Sequence, residues 1–282
     1  MLEAVMSAIK PLNEAAMEKC QARLDNLTKP LGSLHAFEHL ARKMSGITGN
    51  PRPGLLSPRI VLVNGSHRTK GMLDVFAGHV LAEIDEFEVG DGFYPDAMGL
   101  MQIVERGTEI SLSATRAGSR VIGIGMVGTL TPSIVSEIQS WYCKGDEEPL
   151  DILTRMESPE LAGMVGVILG AASGGAAVVL DDLSTSTAAL VAVRMIPQVK
   201  EYLVGSHFAA ERHHAEGLKL MNLPAYLYLG MNVGEGVGAA LGISLIQASI
   251  HVLNDMKTFG EAEVHVAEDG PGALVQSPDV RD

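Results

Sequence analysis

The stretch PELAGMVGVILGAASGGAAVVLDDLSTSTAALVAVRMIPQVKEYLVGSH, residues 159–207, decides the fold. Residues 159–172 read as a helix opened by a proline in its first turn. Gly174-Gly175 then turns the chain. Residues 176–180 are an apolar run without alternation, the pattern of a strand buried on both faces. Asp181-Asp182 close that strand, 186–194 return to helix, and Tyr202-Leu203-Val204-Gly205 form the next strand. Strands of this kind alternating with helices make a parallel sheet covered on both sides. The same stretch raises a second reading, because 161–180 carry no charge over a length that spans a bilayer. However, Gly174-Gly175 interrupts it, five of those 20 residues are glycine, Glu160 and Asp181-Asp182 flank it, and no Lys or Arg lies nearby to anchor it. A buried helix, a turn and a buried strand explain it better than a membrane span.

Working outward, Ile60-Val61-Leu62-Val63 is a short buried strand, and Arg120-Val121-Ile122-Gly123-Ile124-Gly125 is another. The latter leads through Gly128-Thr129 to a helix opened by Thr131-Pro132-Ser133. Residues 207–221 read as helix, Tyr226–Gly230 as a last short strand or turn, and 237–257 as a long apolar helix. The expected fold is α/β and Rossmann-like. At the N-terminal end, 3–24 read as helix with a break near Pro11, and 25–34 as a loop. Ser33 caps a helix of about 34–46 whose His35, Glu38, His39 and Arg42 point outward. The Pro/Gly-rich segment 47–58 is a boundary. Residues 83–96 hold Glu83, Asp85, Glu86, Glu88, Asp91 and Asp96 without a Lys or Arg. They read as a solvated loop, with a metal site as the lesser alternative.

Composition narrows the function. The 282 residues are 46% hydrophobic but only 4% aromatic, with a mean hydropathy of +0.20, enough for a sizeable core built from aliphatic side chains. The formal charge of −13 argues against a nucleic-acid or anionic-membrane partner. Cys20 and Cys143 cannot form a disulfide framework, and Met1-Leu2-Glu3 does not open a signal peptide, so the expected compartment is the cytoplasm.

In a parallel sheet, ligands bind beyond the carboxyl ends of the strands. Asn64, Gly65, Ser66 and His67 follow the first strand. The loop 123–131 follows the second and opens onto a helix, where free N–H groups suit a phosphate, although a plain turn is as good a reading. Asp181 and Asp182 follow the third. After the fourth, His207, Glu211 and His214 fall on one helical face by their spacing. That is a possible metal site, but a hydrogen-bonded structural cluster fits better, because the spacing is not HExxH. The run Gly234-Glu235-Gly236-Val237-Gly238 places one acid among glycines before an apolar helix. A carboxylate there can approach a ligand closely and serve as a general base; an acid at a helix start without chemistry is the bland alternative.

Several segments together resemble the nicotinate-nucleotide:dimethylbenzimidazole phosphoribosyltransferases, which make the α-ribotide of the cobamide lower ligand. They are Arg23–Leu34, Pro159–Gly170, Val178–Leu190, Ser206-His207 with Ala210-Glu211 and His214, Gly234-Glu235-Gly236 with Gly238–Leu241, and Met256 with Thr258-Phe259. The resemblance implies transfer of ribose phosphate from nicotinate mononucleotide to an aromatic base, with inversion and without a metal or organic cofactor. It assigns the base role to Glu235. It places the nucleotide phosphate by Gly125, Gly128, Thr129, Gly234 and Gly236, and a base pocket or interface by His67, Asp181, His207, Glu211 and His214. It also implies a small helical domain from 1–50 and 255–282, a large α/β domain from 58–254, and a dimer in which the small domain covers the partner's site.

The departures are specific. Where the family carries Gly-Glu-Met-Gly-Ile-Gly-Asn-Thr-Thr, this chain has Gly123–Thr131 with Ile124 in place of the acid and Thr129-Leu130-Thr131 in place of Asn-Thr-Thr. The stretch with the phosphate-binding lysine is missing around Lys144–Asp151. The polar base-pocket positions and a following strand are unrecognisable between Thr69 and Thr115. A phosphate dianion needs several charge-assisted donors. The chain therefore reads as a catalytically weakened subunit paired with an intact homologue in a pseudosymmetric heterodimer, like one half of the two-subunit, phenol-activating branch. An independently active homodimer is the alternative, and a nucleotide-binding module without catalysis a third reading.

Overall fold

The computed structural model describes residues 2–54, 56–64, 71–90 and 97–263. Helices α1 (Leu2–Ala8), α2 (Glu14–Asn26) and α3 (Ala36–Thr48) precede strand β1 (Arg59–Val63), α4 (Met72–His79), β2 (Glu83–Phe87) and α5 (Ala97–Arg116). Then come β3 (Val121–Met126), α6 (Pro132–Lys144), α7 (Pro149–Met156), α8 (Pro159–Ser173), β4 (Ala177–Leu180) and α9 (Leu183–Met195). A 3-10 turn at Pro197–Tyr202 leads to β5 (Leu203–His207), α10 (Arg212–Leu220), β6 (Ala225–Leu227) and α11 (Val237–Asp255). The described residues fall into two compact units, 2–11 with 56–243 and 12–54 with 244–263.

The large unit is built on a six-stranded sheet in the order β2-β1-β3-β4-β5-β6, every pair parallel. Its central strands are buried on both faces, which is why they read as unbroken apolar runs. The uncharged stretch 161–180 is α8, the Gly174-Gly175 turn and β4, and α8 is buried from Leu161 to Ala172. Glycines let α5 and α8 approach closely: a Cβ on Gly166 would meet the Val104 backbone, and one on Gly107 would meet the Gly163 carbonyl and, at 3.1 Å, the Val167 nitrogen. One described helix, α11, is long and apolar enough to cross a membrane, and 56% of its most apolar window is buried inside the protein.

Four local expectations are corrected. Residues 83–87 are not loop but the edge strand β2, registered on β1. The Arg59 guanidinium bonds Asp85 at 2.7 Å and also Glu83, and Phe87 is buried. The acids that suggested a solvated loop are thus partly answered from the neighbouring strand, and the strand missing between Thr69 and Thr115 is supplied. Asp91 and Asp96 lie outside the described residues. Gly123 and Gly125 lie in β3, as the strand reading of 120–125 expects, and the loop read from 123 starts only after Met126, because β1 and β4 pair with β3 through this region. His207 ends β5, held extended opposite Leu227, so it is not on a helix with Glu211 and His214. Finally, α3 begins at Ala36 behind His35 (φ 20°), not behind a Ser33 cap, and Glu38 points inward.

The small unit explains that last reversal. Glu38 meets the Lys29 ammonium at 2.9 Å, and both side chains are buried. Glu38 also accepts from the Leu34 N–H at 3.1 Å, closing the turn before α3. The core is Cys20, Leu24, Leu27, Ala41 and Leu253. Arg23 donates to the Leu253 and Met256 carbonyls and to Glu261, joining α2 to the end of α11.

Candidate active site

The carboxyl ends of the strands bring together residues far apart in sequence. Asp181 follows β4 and is fully buried. Its carboxylate accepts from the Gly236 N–H at 2.6 Å and from the Ala239 N–H at 3.2 Å, at the open N-terminal turn of α11. A carboxylate is favoured there by unsatisfied N–H groups and the helix dipole. Burial nevertheless dominates and, with the neighbouring Asp182 charge, holds the Asp181 carboxyl well above the usual range. Asp182 caps α9 by accepting from the Thr185 N–H at 3.1 Å. Burial lifts it to about 6, against the Thr185 contacts that lower it and with the Glu211 charge that raises it further.

These two aspartates frame the glycine loop before α11. Gly234 lies against Asp182, so a Cβ there would sit 2.8 Å from Oδ2. A Cβ on Gly125 would strike the Glu235–Gly236 peptide, 2.7 Å from the Glu235 carbonyl carbon. Gly238 lies against the His207 ring and Asp181. Here glycine serves close backbone approach. Glu235 itself sits in the left-handed region at φ 62°, a conformation that costs a non-glycine residue about 1–2 kcal/mol. Its carboxylate is half-buried, and among the described residues no group hydrogen-bonds it. A fixed peptide with an unengaged acid is an arrangement suited to taking a proton from a bound reactant.

On the β5 side, the Ser206 hydroxyl lies 2.8 Å from the Leu180 carbonyl and 2.9 Å from His207 Nδ1. The carbonyl can only accept, so the hydroxyl proton goes there and Nδ1–H donates to Ser206. His207 Nε2 is then an acceptor, buried without a partner. Burial lowers the His207 pKa. His214 accepts from the Ala209 N–H at 3.0 Å, and burial, reinforced by His207, lowers it to about 4. Glu211 stands at the start of α10 without a capping bond. Among the described residues no three His, Cys, Asp or Glu side chains gather as a metal ion requires.

Of the residues singled out from sequence, Asp181, Gly234, Glu235, Gly236 and Gly125 meet in one place. His207 adjoins them through Gly238, and Glu211 acts on Asp182. Gly128 (φ 91°) and Thr129 are exposed beyond β3, where the Leu130 N–H donates to Ser184 Oγ at 3.2 Å. His67 lies outside the described residues. Sequence reasoning gave no role to Asp182, Ser206 or Gly238; the Asp182-x-x-Thr185 capping box was the signal for the first.

Comparison with known proteins settles the lineage. The phosphoribosyltransferase family model DBI_PRT matches residues 9–74 and 101–264. The chain belongs to this family. It is 30% identical over 345 aligned positions to the nicotinate-nucleotide–dimethylbenzimidazole phosphoribosyltransferase of Citrifermentans bemidjiense, covering 94% of this chain and 99% of that protein. The enzyme of the same name from Roseiflexus sp. strain RS-1 is 29% identical over 94% of this chain and 98% of its own length. The crystal structure of CobT from Thermus thermophilus superposes with a TM-score of 0.79 at 20% identity, covering 89% of this chain and 99% of that one. The DBI_PRT match passes over 75–100, the segment that contains β2.

Proposed function

We propose that this DBI_PRT chain serves the transfer of ribose phosphate from nicotinate mononucleotide to an aromatic base, a benzimidazole or a phenol, in making a cobamide lower ligand. Glu235 takes the proton from the attacking base nitrogen or hydroxyl, and its charge steadies the oxocarbenium-like centre as nicotinate leaves. Gly234 and Gly236 leave room for the ribose phosphate, and Gly128 and Thr129 offer donors to its oxygens. Asp181 holds the Glu235 loop from below, with His207, Glu211 and His214 around it.

The chain binds the phosphate weakly and acts as a subunit of a pair, its small unit closing the pocket of a homologous, intact chain. One observation carries this reading. Among the described residues, Asp181 and Asp182 lie side by side with the Glu211 charge acting on Asp182, Asp181 holds the loop that carries Glu235, and no Lys or Arg side chain bonds any of the four. A dianion is poorly held among carboxylates. Self-sufficient activity, the second reading, is favoured by Glu235 standing on its left-handed turn with the loop fixed beneath it.

The test is transfer from nicotinate mononucleotide to dimethylbenzimidazole or phenol by the purified chain, alone and mixed with an intact homologue from the same organism. The weakened-subunit reading expects little turnover alone and stimulation of the homologue. Robust turnover alone that disappears in Glu235→Gln overturns it in favour of the homodimer.

A further inference from the structure

The sheet of the large unit has an open edge at β2. The Glu83 N–H donates to the Pro58 carbonyl at 3.2 Å, and the Asn64 N–H donates to the Phe87 carbonyl at 2.9 Å. Residues 83 and 87 thus turn these backbone groups to β1. By the alternation of a parallel ladder Asp85 does the same, while Ile84 turns its N–H and C=O outward. No described strand pairs along that edge.

Beside the edge runs a groove of about 700 Å³. Ile84, Asp85 and Glu86 of β2 line one wall, and Ile110, Ser113 and Ala114 of α5 line the other. Successive strand side chains point to opposite faces. A groove that touches three in a row therefore follows the edge itself, not one face of the sheet. An edge strand with a groove beside it is the setting in which an extended peptide adds to a sheet. Native edges are usually blunted by Lys, Pro or a bulge. β2 has neither Lys nor Pro, and its five residues register on β1 without a bulge.

Charge selects the occupant. Residues 71–90 carry Asp74, Glu83, Asp85, Glu86 and Glu88 and no Lys or Arg. From α5, Glu109 adds an exposed carboxylate, bonded to exposed Arg116. The two guanidinium groups that line the groove are held by the protein itself. Arg59 pairs with Glu83 and Asp85, and Arg106 donates to the Glu88 carbonyl at 2.7 Å and lies over the Phe87 ring. The described large unit as a whole holds 21 Asp and Glu against 11 Lys and Arg. The β2 edge of a second copy would bring the same acids and be repelled, whereas a strand bearing Lys or Arg is attracted.

We propose that the open edge of β2 takes an extended, basic segment of another protein as a seventh strand. Its backbone bonds the Ile84 N–H and C=O, its aliphatic side chains rest on Ile110 and Ala114, and its Lys or Arg side chains face the carboxylates. This inference goes beyond the proposed activity and does not depend on turnover.

The experiment is fluorescence anisotropy on the full chain with three labelled, amidated peptides: Val-Lys-Ile-Lys-Val-Lys, its acidic counterpart Val-Glu-Ile-Glu-Val-Glu, and Val-Lys-Pro-Lys-Val-Lys. The third keeps the charge but cannot form the strand. The expected result is saturable binding of the first peptide alone, weakening as NaCl rises. Glu109→Lys should weaken it by about fivefold or more, and Ser113→Trp, which fills the groove from an exposed position, should abolish it. Circular dichroism checks that both variants fold. With the first peptide at about ten times its Kd, hydrogen exchange at the Ile84 N–H should slow by about tenfold. No saturable binding of the first peptide, equal binding of the proline peptide, affinity indifferent to both substitutions, or an Ile84 N–H that exchanges as before overturns the proposal.

Discussion

Glu235 is a residue kept against its own backbone preference. Its φ of 62° suits glycine, and the neighbours on both sides are glycine already. Glu235→Gly should therefore stabilise the fold by about 1 kcal/mol while removing any transfer activity. A urea midpoint that moves the other way would show that the carboxylate contributes to folding. Buried titratable groups make a second case. His214 is neutral in the fold, lowered to about 4 by burial and by His207, whereas an ordinary histidine takes up its proton near 6.5. Below that pH the unfolded chain binds a proton that the folded chain refuses, so stability falls as pH drops from 6.5 toward 4. Asp182, lifted to about 6 from 3.8, acts in the opposite sense, its folded form losing stability as pH rises through that window. His214→Asn, which keeps an acceptor for the Ala209 N–H, should flatten the acid limb in urea titrations from about pH 4 to about pH 8.

At the scale of elements, β4 and β5 were legible because strands buried on both sides must be apolar throughout. β2 was not, because its acids are answered by Arg59 from a strand 24 residues earlier, and sequence does not show that pairing. Nor did it show α5, whose interior includes buried Thr108 and Ser111; both hydroxyls bond helix carbonyls, which blurs the apolar period. In the site, Glu235 stood out between its glycines. The Asp181 bond to Gly236 spans 55 residues, and His207 was misplaced because pairing to β6 outweighs the local helical spacing. The α5–α8 contact has its own test. Gly166→Ala would push a methyl group into the Val104 backbone, whose Cα is 3.0 Å from that position. A loss of about 1–3 kcal/mol by thermal or urea unfolding is expected, since backbone cannot step aside as a side chain can.

Among the described residues, negative charge is concentrated in the unit that holds the site and balanced in the other. The small unit depends on one buried ion pair. Glu38→Gln leaves the Lys29 ammonium buried against a neutral amide and should cost about 3–5 kcal/mol. Hydrogen exchange should report that loss in α2 and α3 ahead of the sheet, and equal loosening in both units would contradict it.

The tie between α2 and the end of α11 also sets a clock. Arg23 bonds the carbonyl of Leu253 across 230 residues of chain, and Leu24 and Leu27 share a core with Leu253. At about 5–20 residues per second of synthesis, α2 and α3 leave the ribosome about ten to fifty seconds before the segment that completes their core. Through that interval their apolar faces have no native cover. The nascent chain thus needs either a chaperone's hold on its first helices or a temporary shelter of its own, and truncations that stop before residue 250 should remain trapped in that state.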